Sequence, residues 1–383
     1  MALQTSTAGT GLTGGGLAAG VIDIDGHVFE PDGLWERYLD RRFHDRRPRL
    51  VLDARGTTRY EVEGRALPVG TGQGAWVPEG MREASVHRDG AEDPRLRLED
   101  MDLEGIDVAV LYGAISLSFS ASFAEDRDLA VACCRAYNNW LADYCQADPR
   151  RLKGTPALPL RWMGDAVQEA ERAVRELGFV SLTIPSAVGD RNPDHADNDD
   201  LYDLAEDLNV PLGVHAGGAR FAYHRFVDAY AQLHALEFPF NNMFAATTLV
   251  CGGVLQRHPR VRLALLESGV GWVPFLFERL DEHWEHRPDE MPGIDRAPSS
   301  FLAGGNLFVS TEGEAGLPQV IAQAGSHWIV WASDYPHWDC HFPDGVRLIA
   351  ERDDLTEAEK QAVLVENATR LLSGPDASTP AQF

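Results

Sequence analysis

A (β/α)8 barrel of the TIM type, in the α/β class, is the fold this sequence predicts, on three observations. Eight short β-rich runs alternate with amphipathic helical segments, this alternation implies parallel pairing of the runs, and ionisable residues gather where the runs end. The runs are VIDID, DVAVLYG, LKGTPALPL, FVSLTIP, PLGVHA, VRLALLE, NLFVST and WIVWASD. Segments between them, such as DLAVACCRAYNNWLADYC, DAVQEAERAVRELG and PFLFERLDEHWEH, repeat apolar residues at spacings of three and four, as a helix with one buried face does.

The stretch from Val28 to Asp100 breaks the alternation. Within it RLVLDARGTTRYEVEG reads as a hairpin, so this stretch is expected to be an insertion at the rim after the first strand, lying over the mouth as a lid or substrate wall. The expected organisation is a disordered tail over 1–20, one metal-dependent barrel over 21–373 with its insertion at 28–100, and a flexible tail over 374–383. The glycine-broken opening MALQTSTAGTGLTGGGLAAG has no Lys or Arg and no apolar run, unlike a signal peptide.

Composition narrows the function. Among 383 residues, 34 Lys and Arg face 59 Asp and Glu, and the net charge of -25 argues against nucleic acid as a partner. No stretch approaches the roughly 20 apolar residues of a membrane span. The five cysteines have no CxxC spacing and are odd in number, which fits a reduced, cytoplasmic setting.

The chemistry is expected at the C-terminal ends of the strands. The first run leads to Asp25 and His27, which alternation along a strand would place on one face. The fifth ends at His215, the sixth at Glu267, the seventh runs into Glu312, and the eighth ends at Asp334, with His337 just beyond. Such a ring of rigid strand ends can turn several N and O ligands onto one divalent ion. Taken singly, Asp25 and Asp334 could cap the following segments, Glu30 is as much a cap as a ligand, and His215 could be a core histidine. His258 precedes the sixth strand, at the wrong end for the site.

The motifs VIDIDGHVFEP, GVHAGG, VCGGVLQRHPRVRLALLESGVGWVPFLFERLDEHWE, WASDYPHWD and ENATRLL resemble the aminocarboxymuconate-semialdehyde decarboxylase branch of the amidohydrolase superfamily. The resemblance runs through nearly everything after residue 20. It implies a TIM barrel with a metal held by Asp25, His27, His215 and Asp334. Two departures stand out. Asp25 replaces the first histidine of the family's usual His-x-His pair, and Ser268 stands next to Glu267 where these decarboxylases carry a histidine. The fourth run also lacks the lysine that bridges two metals in binuclear hydrolases.

With Glu267 added, the ligand set is rich in carboxylate, which suits iron. The pattern is similar to an amidohydrolase-fold nonheme diiron monooxygenase of diterpenoid antibiotic biosynthesis of the platensimycin and platencin type. The expectation is therefore a two-iron oxygenase that uses O2 and an electron donor to hydroxylate a bulky apolar acid or a thioester such as a CoA conjugate. Glu312 and His337 are its catalytic residues, and self-association is left open. Arg220, His224 and Arg225, after the fifth strand, would meet the substrate's anionic group. Trp76, Trp162, Phe221, Tyr223, Phe238, Phe240 and Trp338 are candidates for its apolar wall. The alternative is a zinc- or manganese-dependent hydrolase or non-oxidative decarboxylase of a small carboxylic acid.

Overall fold

The structure is a computed structural model that describes residues 20–31, 33–52, 58–66, 89–114, 116–118, 126–217, 226–227 and 229–374. In chain order its strands are β1 (Ile22–Val28), β2 (Arg49–Leu52), β3 (Thr58–Val62), β4 (Arg65–Ala66), β5 (Val108–Gly113), β6 (Leu152–Gly154), β7 (Leu182–Pro185), β8 (Leu212–His215), β9 (Leu263–Leu266), β10 (Leu307–Thr311) and β11 (Ile329–Trp331). The eight expected barrel strands are β1 and β5 to β11. They pair in parallel as β1-β5-β6 and β7-β8-β9-β10-β11.

Single backbone bonds join the two sets at both seams. Val180 N donates to Gly154 O at 3.3 Å beside β6 and β7. Beside β11 and β1, Asp334 N donates to Asp25 O at 3.0 Å and His27 N to Tyr335 O at 2.7 Å.

Side-chain alternation divides the apolar residues into two layers. Ile22, Ile24, Val110, Tyr112, Leu266, Phe308 and Val330 meet one another inside the barrel. Their neighbours Ala109, Leu111, Leu265, Val309 and Trp331 pack outward against the helices. Leu371 and Leu372, from the last helix Asn367–Ser373, join the interior layer. Arg262, just before β9, donates to Leu371 O at 2.7 Å, so this plug closes the end where the strands begin. The strand ends at the other mouth are left to build a site.

The expected hairpin is present. β2 and β3 pair antiparallel, with β4 added to the edge of β3. Buried Tyr60 and Val62 anchor it in the outer core. Asp126 N donates to Glu63 Oε1 at 3.0 Å, tying the hairpin to the start of the helix Arg127–Cys145. Residues 67–88, on which the expected cover mostly depends, lie outside the described residues. Asp100, the expected end of the insertion, is inside a helix, Pro94–Glu104. That helix begins at an Asp93 cap with Pro94 in its first turn and stops at Gly105, whose φ of 84° a glycine adopts without strain. Among the described residues no helix is long and apolar enough to cross a membrane.

Glu104, at the end of that helix, is buried and accepts from Gly345 N at 3.0 Å. Burial, followed by the nearby Asp23 carboxylate, pushes its carboxyl from 4.5 up to about 7. A raised carboxyl favours folding while it is protonated. The contribution is complete below pH 4.5 and is lost as pH rises through about 7. Glu104→Gln keeps an acceptor for Gly345 and removes the charge. The variant should exceed wild type in stability above pH 7, by at most about 2–3 kcal/mol, and this advantage should shrink toward pH 4.5. Thermal midpoints of both proteins across that range test it, and a difference independent of pH would contradict it.

Candidate metal centre

Asp25, His27, His215 and Glu267 are all buried and each offers one ligand atom, these atoms lying within 4.8 Å of one another. His215 Nε2 is 2.9 Å from Glu267 Oε2 and 3.9 Å from Asp25 Oδ2. His27 Nε2 is 3.5 Å from Asp25 Oδ1 and 3.2 Å from Asp334 Oδ1. Both carboxylate oxygens of Asp25, both ring nitrogens of His27, His215 Nε2 and Glu267 Oε2 are buried and make no hydrogen bond. Each such group costs about 1–3 kcal/mol when unmet, and a divalent cation at the common focus would meet one atom of each of the four side chains at once. The donors, imidazole nitrogen and carboxylate oxygen, fit a divalent metal, and the four side chains form a metal-binding site.

Two backbone devices aim these side chains. Ile22 and Ile24 fill the barrel interior, so strict alternation would turn Asp25 outward. The register of β1 against β5 shifts between Asp23 and Gly26, and this bulge brings Asp25 to the same focus as His27. Alternation alone therefore does not explain the pair. At β9, Leu266 is interior, and Glu267 is turned to the site by a left-handed backbone with φ 58°. Asp334 likewise has φ 54°. A side-chain-bearing residue in this region is strained by about 1–3 kcal/mol, and these two are both at strand ends of the mouth.

The electrostatics agree. Burial, followed by His337, lowers His27 to about 3, so its imidazole is neutral, the form that binds metals. Burial raises Asp25, opposed by His215 and reinforced by Glu267 and Asp334. Burial and then Asp334 raise Glu267 well above the usual carboxylate range. Asp334 stays below that range against its burial, because His337 and His27 flank it. Burial opposes charge on His337, yet Asp334 and Glu267 push it up to about 9. A bound cation would relieve the crowding of anions and reverse the upward shifts.

Of the other expected residues, His337 joins the site: Nδ1 is 2.7 Å from Asp334 Oδ1 and 3.9 Å from Glu267 Oε1. Glu312 stands near Asp334, Asp339, Glu314 and Glu267, and burial with these charges raises it, but it is outside the converging four. Glu30 accepts from Ser116 N at 3.0 Å. His258 is held between Asp199 and Asp203, 3.1 Å from each. Arg220, His224, Arg225, Trp76, Phe221 and Tyr223 lie outside the described residues. Phe238 and Trp338 flank His234, with ring centroids 4.5 and 5.6 Å away, Trp162 packs on the outer core, and Phe240 is exposed.

Sequence reasoning missed Asp23, which is fully buried. Its signal was the acidic residue two before Asp25 in DIDGH. It also missed the pairing of His234 with Asp339, at 3.8 Å.

Residues 22–374 match the amidohydrolase family. The gamma-resorcylate decarboxylase of Rhizobium radiobacter is 30% identical over 295 residues, covering 73% of this chain and 86% of that protein. The 2-amino-3-carboxymuconate-6-semialdehyde decarboxylase of Dictyostelium discoideum is 24% identical over 291 residues, covering 73% and 76%. A crystal structure of 5-carboxyvanillate decarboxylase from Novosphingobium aromaticivorans, complexed with manganese and 4-hydroxy-3-methoxy-5-nitrobenzoic acid, superposes with a TM-score of 0.68 at 21% identity, covering 96% of this chain and 99% of that one.

These likenesses overturn the expected diiron monooxygenase of antibiotic biosynthesis, and with it the iron pair, O2, the electron donor and the CoA thioester. The geometry gives the physical reason. The second grouping at the mouth, His27 with Asp334 and His337, shares His27 with the first, so among the described residues of these two groupings a second ion would have only Asp334 and His337 of its own. Richness in carboxylate set the acidity of the site and did not set its redox chemistry. The chain belongs to the amidohydrolase family, in its aminocarboxymuconate-semialdehyde decarboxylase-like branch.

Proposed function

We propose that the protein is a metal-dependent, non-oxidative decarboxylase of a small carboxylic acid, with residues 21–373 as one catalytic unit. The observation that carries this reading is the set of buried ligand atoms of Asp25, His27, His215 and Glu267 that make no hydrogen bond and gather around one point. The decarboxylase relatives, which act on gamma-resorcylate and 2-amino-3-carboxymuconate-6-semialdehyde by name, support it. An unsaturated or hydroxylated aromatic acid is the substrate class.

Asp25, His27, His215, Glu267 and Asp334 would hold one divalent ion, manganese or zinc, which supplies Lewis-acid anchoring for substrate oxygens. Asp334, flanked by His27 and His337, orients both rings. Non-oxidative loss of CO2 needs a proton on the carbon that bears the carboxylate. The C–C bond then breaks, its electron pair returns to the substrate and CO2 leaves, so neither oxidant nor reductant is consumed. His337, held protonated by Asp334 and Glu267, is the proton store, and Glu267 lies between it and His215. Arg220, His224 and Arg225 are this reading's partners for the substrate anion. Glu312, raised by burial and by Asp334, has no step of its own.

Manganese-loaded protein under argon should release CO2 from gamma-resorcylate or 5-carboxyvanillate, and turnover that requires O2 would overturn the reading. His215→Ala should lose metal, measured as bound manganese per chain after gel filtration, while its circular dichroism stays that of wild type. Full metal retention would remove His215 from the ligands. Glu267→Gln keeps an oxygen donor for the ion and loses the negative charge that helps hold His337 protonated. Its turnover should fall about 10²- to 10⁴-fold with metal retained, and unchanged turnover would exclude a role in proton transfer.

A further inference from the structure

Behind the metal ligands lies a buried network that the proposed chemistry does not use. Arg97, 1% exposed, comes from the helix Pro94–Glu104. Its Nη1 donates to the backbone carbonyl of His27 at 2.9 Å, and its Nη2 is 3.8 Å from Asp23 Oδ2. The guanidinium stacks over the Tyr335 ring, 4.5 Å from the centroid, and the Tyr335 hydroxyl donates to Asp100 one turn along the same helix at 2.5 Å. Asp23 in turn receives Ser333 Oγ at 2.6 Å, Ser333 N at 2.9 Å and Asp25 N at 3.1 Å. One cation thus touches β1 on both sides of Asp25 and also the residue after Asp334.

We propose that Arg97 is a positioning residue of the metal centre. It clamps the bulged end of β1, which carries Asp25 and His27, to the segment Ser333–Tyr335, which carries Asp334. The inference rests on the metal-site reading and is independent of the reaction assigned to it.

The physical case is geometric. The β11–β1 seam has no strand ladder: its backbone bonds are Asp334 N to Asp25 O and His27 N to Tyr335 O, and Asp23 adds its two bonds from Ser333. The Asp23–Ser333 bonds hold the side of Asp25 toward the start of β1, and a shear at the His27 side moves ligands of β1 against Asp334. Arg97 resists it through a planar group that stacks and donates at once, which an ammonium cannot do. The close fit reaches Gly26: a Cβ there would strike Arg97 Nη2 and come within 2.8 Å of Asp23 Oδ2. Gly90 is under similar constraint, since its Cβ would stand 2.6 Å from the Tyr335 hydroxyl and 2.9 Å from Asp100 Oδ2.

The test measures Mn2+ affinity of the full chain by competition with a chelator, together with the visible absorption of the Co2+-loaded protein. Arg262 is the control, an equally buried arginine at the opposite end of the barrel, bonded to Leu371 O and to Asn209. Loss of groups that orient ligands costs about 10- to 100-fold in metal affinity. Arg97→Lys and Arg97→Met should show a loss of that size and altered Co2+ bands, whereas Arg262→Lys should lower the thermal midpoint with affinity and bands unchanged.

Should the Arg97 variants fail to fold, Gly26→Ala displaces the guanidinium without removing it and should weaken Mn2+ in the same range. Affinity within twofold of wild type in Arg97→Lys, or in Gly26→Ala, would overturn the proposal. An equal loss in Arg262→Lys would also overturn it, by showing a general effect of destabilisation. Wild-type protein that binds no Mn2+ would overturn the metal-site reading itself, and the proposal with it.

Discussion

Everything at the mouth of this barrel answers to one constraint: three carboxylates are buried side by side, Asp25 against His27 and His215, Glu267 against His215 and Asp334 against His27. Like charges at such distances cannot all ionise in a low-dielectric interior without a cation. A divalent ion resolves the conflict by charge and coordination at once. The donors are held ready by covalent strand ends, so the ordering cost of the site is borne by the barrel core and not by the binding event.

The barrel delivers this arrangement through departures from regularity. Parallel strands with alternating side chains produce an apolar interior and an apolar outer layer, and an unbroken strand that turns Ile24 or Leu266 inward cannot also turn the next residue, Asp25 or Glu267, inward. The bulge in β1 and the left-handed residues Glu267 and Asp334 supply the extra turns. Each costs strain or a ladder bond. The strands that carry them are short, four residues in β9 and three in β11, so little pairing is lost.

The barrel strands and their flanking helices were legible in the sequence because they rest on local periodicity. His215, which shares the inward parity of Gly213 beside it in β8, could be placed the same way. Glu267 was legible as a position, yet its orientation depends on a backbone angle that no period signals. The helix Pro94–Glu104 was not legible, because it has polar residues on most of its faces, and Arg97, Asp100 and Glu104 are buried with Met101. Arg97 itself could not be read, since its partners are 70 residues away at His27 and far beyond at Tyr335. The oxygenase reading failed for a different reason: counting oxygen donors describes a charge environment, and several chemistries share it.

The same geometry bears on how the barrel closes. At the β6–β7 seam the joining bond lies between Val180 and Gly154, residues remote from the ligands. At the β11–β1 seam the joining bonds belong to Asp25, His27, Asp334 and Tyr335, so three of the four residues are themselves candidate ligands. Barrel closure and assembly of the metal site are therefore the same set of contacts at this seam. Any ion that draws Asp25, His27 and Asp334 together also draws β1 toward β11, and free energy of metal binding becomes free energy of barrel closure. The plug of Leu371 and Leu372 holds the opposite end through apolar burial. The barrel is thus secured at one end by hydrophobic contact and at the other by the seam contacts that a bound ion would tighten.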